Sequence, residues 1–123
     1  MILSIDQGTT NTKALVVGRD GRPVFRASTG LGLRHPEAGF AEQDPLEIWA
    51  SVVRVIGECV AAGRGVIEGV AISNQRETAL AWERATGVPM APAMSWQCRR
   101  GASVCSGLSG QSEMLRRRSG MRS

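Results

Sequence analysis

The first residues that could do chemistry are residues 6–10, which have the sequence DQGTT. Asp6 ends an apolar segment, and Gly8 and two threonine hydroxyls follow it at once. Backbone N–H groups in such a tight turn can converge on an anion. Because a glycine has no side chain, the anion can come close to the backbone there. Asp6 would repel a bare phosphate, so we expect Mg²⁺, which prefers oxygen ligands, to lie between them. The alternative is an ordinary polar hairpin turn, and the sequence contains no Walker A motif.

A second polar group, residues 73–78 (SNQRET), follows another apolar segment. The carboxyl ends of strands are where α/β sheets bind their ligands. Arg76 offers donors in a fixed geometry and Glu77 offers acceptors, so the pair could hold adjacent hydroxyls of a small polyol. Trp96 could supply an apolar wall for the C–H face of that polyol. The alternatives are a surface salt bridge between Arg76 and Glu77 and a Trp96 that belongs to the core.

Short strands and tight turns open the chain. Residues 2–5 and 12–17 alternate in the manner of two strands, and the turn between them predicts a hairpin. A second turn at residues 19–22 leads to a third strand at residues 23–29. Residues 30–43 lack periodicity and predict a loop. We therefore expect three sequential antiparallel strands, a β-meander.

A helix follows this loop. Asp44 fits the N-cap, Pro45 fits the first helical position, and Glu47 fits the position that closes a capping box. Gly63 fits the residue that stops the helix. Apolar residues recur every three or four positions and predict the face that packs on the sheet, and they are Leu46, Trp49, Val53, Ile56 and Val60.

The segments after the helix complete the predicted sheet. Residues 67–73 have strand length and follow a helical crossover, which places this strand parallel to an earlier one. Residues 78–83 and 90–95 predict two shorter strands joined by a turn at residues 84–87. The fold class is α/β, with a mixed sheet opened by a β-meander and covered by at least one helix.

Length and charge exclude several classes of protein. The chain has 123 residues, the size of one ordinary domain. Its net charge of +4 comes from residues 99–123, where six arginines face Glu113 alone. We expect no nucleic-acid partner, because a nucleic-acid-binding module spreads its cationic residues over a folded face and places aromatic residues among them. No apolar segment approaches the roughly 20 residues of a membrane span, so we expect a cytoplasmic protein without one.

Four motifs, taken together, resemble one protein family. In chain order they are residues 6–10 (DQGTT), 39–45 (GFAEQDP) before a helix with Ile48 and Trp49, 73–78 (SNQRET) and 96–100 (WQCRR). Their types, order and spacing are similar to the N-terminal part of the FGGY carbohydrate kinases, in particular the members that act on glycerol. The resemblance covers nearly the whole chain, and residues 115–122 are similar to a helix end and the turn after it.

The resemblance implies a ribonuclease H-like fold, also called the actin-like ATPase fold, in which two domains enclose MgATP and substrate. The implied activity is the ATP-dependent phosphorylation of glycerol to glycerol 3-phosphate, with ATP and Mg²⁺ as cofactors. By this resemblance Asp6 would face the metal, and Arg76, Glu77 and Trp96 would line the glycerol pocket. The residues implied to contact the nucleotide phosphates are Gly8, Thr9, Thr10, Asn11 and Lys13. Lys13 stands where the family carries arginine, so planar bidentate contact is lost there.

Members of this family are several times longer than the present chain. By resemblance, residues 1–123 would form the N-terminal part of domain I, an incomplete first domain. The rest of domain I, all of domain II and the general-base aspartate would lie downstream of Ser123. We expect the 123-residue chain to be inactive alone and the full-length protein to be a homo-oligomer. Two alternatives stay open: a kinase for another polyol or ketose, and a degenerate or regulatory fragment that binds phosphate or a kinase partner without transfer.

Overall fold

The chain folds into a mixed β-sheet covered on one face by a long helix, in a computed structural model that describes residues 1–120. A short 3-10 turn at Ser109–Gln111 separates the last two helices. The strands and helices in chain order are β1 (Ile2–Gln7), β2 (Asn11–Val17), β3 (Pro23–Gly30), β4 (Glu42–Gln43), α1 (Pro45–Ala61), β5 (Gly69–Asn74), β6 (Ala93–Met94), α2 (Ala102–Gly107) and α3 (Ser112–Ser119).

The four-stranded sheet has the strand order β3-β2-β1-β5. β1, β2 and β3 are antiparallel neighbours, so the predicted β-meander is confirmed. β5 returns after α1 and pairs parallel to β1, as the helical crossover predicts. Asp6 is therefore flanked in register by Lys13 on β2 and by Ser73 on β5.

One face of this sheet forms the core together with α1. The buried cluster consists of Leu3, Ile5, Ala14, Val16, Ala27, Val55 and Cys59. Asp6 lies between the buried residues Ile5 and Gln7 on β1, and successive strand residues point to opposite faces. The side chain of Asp6 is therefore on the face that α1 does not cover.

The helix α1 begins where the sequence predicts, but one capping interaction differs. Asp44 Oδ1 accepts a hydrogen bond from the Leu46 N–H at 2.9 Å. Gly63 has a φ of +59° just after the helix, a left-handed conformation that favours glycine. The predicted capping box is wrong, because the Glu47 carboxylate instead accepts a hydrogen bond from the Gly32 N–H at 2.8 Å. This carboxylate ties the loop after β3 to the first turn of the helix.

The face of α1 that packs on the sheet also differs from the prediction. The exposed members of the predicted apolar stripe are Leu46, Trp49, Val53 and Val60. The buried helix residues are Ser51, Val55 and Cys59, and only Ile56 of the stripe packs against the core. Ser51 can be buried because its hydroxyl donates to a carbonyl one turn earlier and lies 2.6 Å from a threonine hydroxyl of β2. A polar residue whose hydrogen bonds are made inside the protein tolerates a core position.

A second, smaller sheet holds the segment that carries Trp96. β6 pairs antiparallel with β4, so the loop predicted at residues 30–43 ends in a short strand. The strands predicted at residues 78–83 and 90–95 are too long: apart from β6, these segments meet only through isolated bridges. Pro92 lacks the N–H that a longer ladder would need.

The end of the chain is helical, and α2 and α3 bury none of their residues. α3 is followed by Gly120 with a φ of +73°, which agrees with the helix end implied at residues 115–122. Residues 121–123 of the chain lie outside the described part. Within residues 1–120, no helix is long and apolar enough to cross a membrane.

Candidate active site

The two predicted groups of chemical residues lie side by side in one cleft. β1 and β5 are parallel neighbours, so their carboxyl ends meet at the same edge of the sheet, with Gln7 paired to Asn74. An open cleft of about 880 Å³ lies at this edge. The predicted site residues that line it are Asp6, Gly8, Thr9, Arg76, Glu77 and Trp96.

Three predicted phosphate-binding residues, Thr10, Asn11 and Lys13, are not part of the cleft lining. Lys13 is the register partner of Asp6 on the neighbouring antiparallel strand, so both side chains lie on the same face of the sheet. Within residues 1–120, neither of them is engaged in an ion pair. The Lys13 side chain is thus on the same face of the sheet as the cleft, although it does not line the cleft.

The turn between β1 and β2, residues 8–10, is closed by its own backbone and leaves two amides free. The Gly8 N–H donates to the Asn11 carbonyl at 3.0 Å. A Cβ atom at Gly8 would lie 3.0 Å from that same oxygen, so a larger residue would push the turn apart by a few tenths of an ångström. Among residues 1–120, no acceptor is bonded to the N–H groups of Thr9 and Thr10. Adjacent free N–H groups in a turn are the donors that an anion site uses.

Trp96 and Thr9 are joined directly. Trp96 is 52% exposed, so the alternative that it belongs to the core is wrong. Its indole N–H donates to the Thr9 hydroxyl oxygen at 2.9 Å, and that hydroxyl donates to Gln75 Oε1 at 3.1 Å. A hydroxyl has one hydrogen to donate. In this arrangement Thr9 therefore offers an anion its backbone N–H and not its hydroxyl.

Arg76 and Glu77 are exposed in the cleft and not paired with each other. No ion pair within the described residues includes either of them, so the surface salt bridge considered as an alternative is wrong. Glu77 has a φ of +65°, a left-handed conformation that costs a residue with a Cβ about 1–2 kcal/mol. Such strain clusters at functional sites. Both charged groups are free to bind a ligand.

Three glutamines that the sequence analysis did not single out lie at the cleft, with Gln75 in its lining and the other two buried beside it. Gln7, Gln43 and Gln75 bond to one another through their side-chain amides. Gln43 belongs to the motif at residues 39–45 and Gln75 to the polar segment after β5. These glutamines come from segments that are far apart in the sequence, so no regular spacing connects them. Only the presence of a polar residue at each position could have indicated the network.

Cys98 follows Trp96 by two residues, and its thiol contacts a guanidinium group. Its Sγ accepts a hydrogen bond from Arg100 Nε at 2.9 Å, and the Arg100 guanidinium also stacks 4.0 Å above the Phe40 ring. Burial opposes ionisation of the Cys98 thiol, but hydrogen bonds from the Arg100 and Ala41 backbones and from the Arg100 side chain outweigh it and lower the pKa. By contrast, burial and the Glu58 carboxylate raise the pKa of Cys59.

The cleft can hold a magnesium ion only if a bound ligand supplies some of the oxygen atoms that coordinate it. Within residues 1–120, no group of three or more His, Cys, Asp or Glu side chains could hold a metal by itself. Mg²⁺ usually binds through one or two carboxylates together with substrate phosphates and water. Asp6, an unpaired carboxylate beside two free amides, suits that mode.

Comparison with known sequences places the chain among sugar and polyol kinases. Residues 1–122 match the FGGY family of carbohydrate kinases, N-terminal domain. The chain is 46% identical to the apulose kinase of Pectobacterium atrosepticum, over 92% of this chain and 23% of that protein. It is 40% identical to the glycerol kinase of Aeromonas hydrophila, over 98% of this chain and 25% of that protein. The chain thus spans about a quarter of the length of these relatives.

Solved structures of such kinases contain the same fold. The glycerol kinase of Plasmodium falciparum, determined with ADP, matches with a TM-score of 0.89 and 27% identity over 94% of this chain and 24% of that one. The gluconate kinase of Lactobacillus acidophilus matches with a TM-score of 0.89 and 24% identity over 98% of this chain and 25% of that one. The predicted ribonuclease H-like, or actin-like ATPase, fold is confirmed. The chain belongs to the FGGY family of carbohydrate kinases.

Proposed function

We propose that the chain supplies the phosphate-binding turn and part of the acceptor pocket of an ATP-dependent kinase that converts glycerol to glycerol 3-phosphate. The observation that carries this proposal is that one cleft is lined by residues of both polar segments and by Trp96, namely Asp6, Gly8, Thr9, Arg76, Glu77 and Trp96. Phosphoryl transfer depends on holding donor and acceptor close together and in line. A cleft formed by two adjoining polar segments can do so.

The turn at residues 8–10 is the proposed site of the nucleotide phosphates. The free N–H groups of Thr9 and Thr10 would donate to phosphate oxygens, with Asn11 and the Lys13 ammonium group close by. Preorganised donors of this kind stabilise charge that develops during transfer. Asp6 would hold Mg²⁺, which when bound neutralises phosphate charge. The roles of Gly8 and Thr9 here are those of the backbone, because the Thr9 hydroxyl is already used.

Arg76, Glu77 and Trp96 are the proposed acceptor site. The Arg76 guanidinium would donate to one acceptor hydroxyl and the Glu77 carboxylate would accept from another, while the Trp96 ring covers the C–H face. Polar groups that pair with hydroxyls in a closed site disfavour analogues that lack those hydroxyls, because the groups would be left without partners. These residues would therefore select the acceptor and present its terminal hydroxyl to the γ-phosphate.

A second candidate acceptor is a ketose of the kind that the apulose kinase relative acts on. The observation in its favour is identity: 46% to that kinase against 40% to the glycerol kinase of A. hydrophila. Both candidates use the same turn and the same Arg76–Glu77 pair.

The proposal also covers what this chain does not supply. We place residues 1–123 in the first domain of the kinase, with the general base and the adenine pocket in other parts of the full-length protein. Of the other two aspartates, Asp20 contacts Arg22 in a hairpin turn and Asp44 caps α1, so neither is positioned as a base in the cleft. We therefore expect no turnover by the 123-residue chain alone. The homo-oligomeric state and the cytoplasmic location stay predictions.

The test is phosphoryl transfer by the full product of the gene, followed with γ-labelled ATP and a panel of acceptors. The panel contains glycerol, apulose, gluconate and xylulose, and the 123-residue chain is assayed beside the full product. We expect Mg²⁺-dependent transfer with kcat/KM highest for glycerol. A higher value for apulose selects the ketose alternative, and ATP binding without transfer to any acceptor contradicts a kinase and favours a non-enzymatic fragment. Glycerol-dependent turnover by the short chain would overturn its expected inactivity.

A further inference from the structure

A network of side-chain amides joins three separate segments behind the cleft. Gln43, in β4, is only 1% exposed and is the largest of the fully buried side chains. Burying an amide is unfavourable unless its hydrogen bonds are made. Within residues 1–120, every buried side-chain nitrogen and oxygen has a partner. The position of Gln43 is therefore set by its hydrogen bonds.

Gln43 uses both of its amide hydrogens and its amide oxygen on backbone and amide partners. Its Nε2 donates to the Thr9 carbonyl at 2.8 Å and to the Gly32 carbonyl at 3.0 Å. Its Oε1 accepts from Gln75 Nε2 at 2.8 Å. A glutamate of the same size could not replace it, because a carboxylate has no hydrogen to donate to two carbonyls.

Gln75 is the second centre of the network. Its Nε2, besides the bond to Gln43, lies 3.4 Å from Gln7 Oε1. Its Oε1 accepts from the Thr9 and Thr78 hydroxyls at 3.1 and 3.0 Å. Its backbone N–H donates to the Gln7 carbonyl at 2.8 Å. One residue thus connects the turn at residues 8–10 with the segment that begins the proposed acceptor site.

Thr9 is consequently held from three directions. Gln43 holds its carbonyl, and its hydroxyl bonds to Gln75 and to the Trp96 indole. Its backbone N–H is left free for an anion. The Thr9 carbonyl shares its planar peptide group with the N–H of Thr10, so the bond from Gln43 fixes the direction of that second free donor.

We propose that Gln43 and Gln75 are positioning residues that couple the two ligand sites of the cleft, an inference that rests on the proposed function. An acceptor that packs against Trp96 strengthens the hold of the indole on Thr9, and Thr9 in turn holds the turn whose free N–H groups face the phosphates. Occupancy of one site then stabilises the bound form of the other. Because coupling is reciprocal, each ligand raises the affinity for the other by the same factor.

The test measures this coupling in the full product of the gene. Calorimetry gives the Kd of MgADP with and without saturating glycerol, or with the acceptor that the panel selects. The variants are Gln75→Met and Gln43→Met, which keep side-chain length but remove the amide, and Gln75→Glu, which keeps the shape. Gln111→Met is the matched control, because Gln111 is exposed in the short turn before α3.

We expect the acceptor to tighten MgADP binding at least about fivefold in the wild type and in Gln111→Met, in the usual range of coupled sites. The factor should fall to about one in Gln75→Met, Gln43→Met and Gln75→Glu, while each variant still binds MgADP alone. No coupling in the wild type overturns the inference, and so does full coupling in the folded glutamine variants. The proposed function survives either result, since transfer is assayed separately.

A second readout needs no kinase activity. In the 123-residue chain, NMR resolves the indole N–H signals of Trp49, Trp82 and Trp96. Gln75→Met should shift the Trp96 signal and speed its exchange with water, because Thr9 is no longer held as its acceptor, and should leave the other two unchanged. An unchanged Trp96 signal in a folded Gln75→Met chain overturns the network. If the full product binds neither ligand, the proposed function and the coupling both fail, and this readout still decides whether the glutamine network holds Trp96 and Thr9 together. If it binds both ligands without transfer, the proposed function fails and the coupling measurement still decides the inference.

Discussion

The indole N–H of Trp96 donates to the hydroxyl oxygen of Thr9 at 2.9 Å, across 87 positions of sequence. This bond joins the apolar wall of the proposed acceptor site to the turn that offers free amides. Because of this bond, a substitution on one side of the cleft should change ligand binding on the other side. It also limits Thr9, whose hydroxyl hydrogen is already given to Gln75.

Glu77→Gln should weaken acceptor binding without a comparable effect on ATP. The carboxylate is free of ion pairs in the described residues, so its acceptor capacity is available to a ligand. Glutamine keeps an acceptor oxygen but loses the charge, and a hydrogen bond to a charged group exceeds a neutral one by about 1–1.5 kcal/mol, which predicts an acceptor KM roughly 5- to 15-fold higher. Steady-state kinetics of the full product measure this, with the exposed Glu37→Gln as control. An unchanged acceptor KM would remove Glu77 from the site.

Gly8→Ala should weaken nucleotide binding. An added Cβ would meet the Asn11 carbonyl oxygen at 3.0 Å, so the turn must shift and its free amides move. We expect the Kd of MgADP to rise at least about tenfold, which corresponds to about 1.4 kcal/mol. Gly107→Ala is the control, because a Cβ there meets no atom within 4 Å. Equal affinities for the two variants would contradict an anion site at this turn.

Gly57→Ala should stabilise the 123-residue chain. Gly57 lies inside α1 in a helical conformation, and a Cβ there meets nothing within 4 Å. Alanine is favoured over glycine in a helix interior by about 0.5–1 kcal/mol. Urea denaturation should therefore show a higher midpoint at an unchanged slope. A lower midpoint would mean that this side of α1 is covered, in contrast to its exposure here.

Cys98 should be alkylated at lower pH in the folded chain than in the unfolded chain. Hydrogen bonds centred on Arg100 lower its pKa in the fold despite partial burial, so the thiolate exists at a pH where an ordinary thiol, with a pKa of about 8.5, is protonated. The stabilisation from these bonds is present above the unfolded pKa and is lost as the pH falls through the folded value. Mass spectrometry of iodoacetamide labelling from pH 5 to 9 gives both profiles.

In Arg100→Gln the folded Cys98 profile should move to higher pH, because the donor to the thiolate is lost. Cys59 is the internal contrast, because burial raises its pKa and withholds it from the reagent. Identical labelling profiles of Cys98 in the folded and unfolded chains would show that the fold does not lower its pKa.

Sequence reasoning succeeded where the determinants are local. The meander, the N-cap at Asp44, the stop at Gly63 and the parallel return of β5 depend on turn residues, caps and strand patterns within short windows. The two polar groups at residues 6–10 and 73–78 were also found from the sequence, because each directly follows an apolar strand. Their meeting in one cleft follows from the parallel pairing of β1 and β5.

Sequence reasoning failed where tertiary contacts decide. The packing face of α1 was wrong because Ser51, a polar residue, is buried through a hydrogen bond with Thr12 of β2. Glu47 bonds to Gly32 rather than to the N-cap for a similar reason. The glutamine network has no spacing signal, because its members come from three separate segments. Such interactions become visible only when the segments are placed in space.

Asp6→Asn should remove most of the magnesium dependence of nucleotide binding. Asp6 and the free amides of residues 8–10 are proposed to bind a metal-bound phosphate chain at the carboxyl ends of β1 and β5. In the full product, calorimetry of ADP with and without Mg²⁺ should show at least about tenfold tighter binding with the metal for the wild type. Most of that gain should be lost in Asp6→Asn. The same magnesium-dependent gain in both proteins would show that Asp6 does not hold the metal.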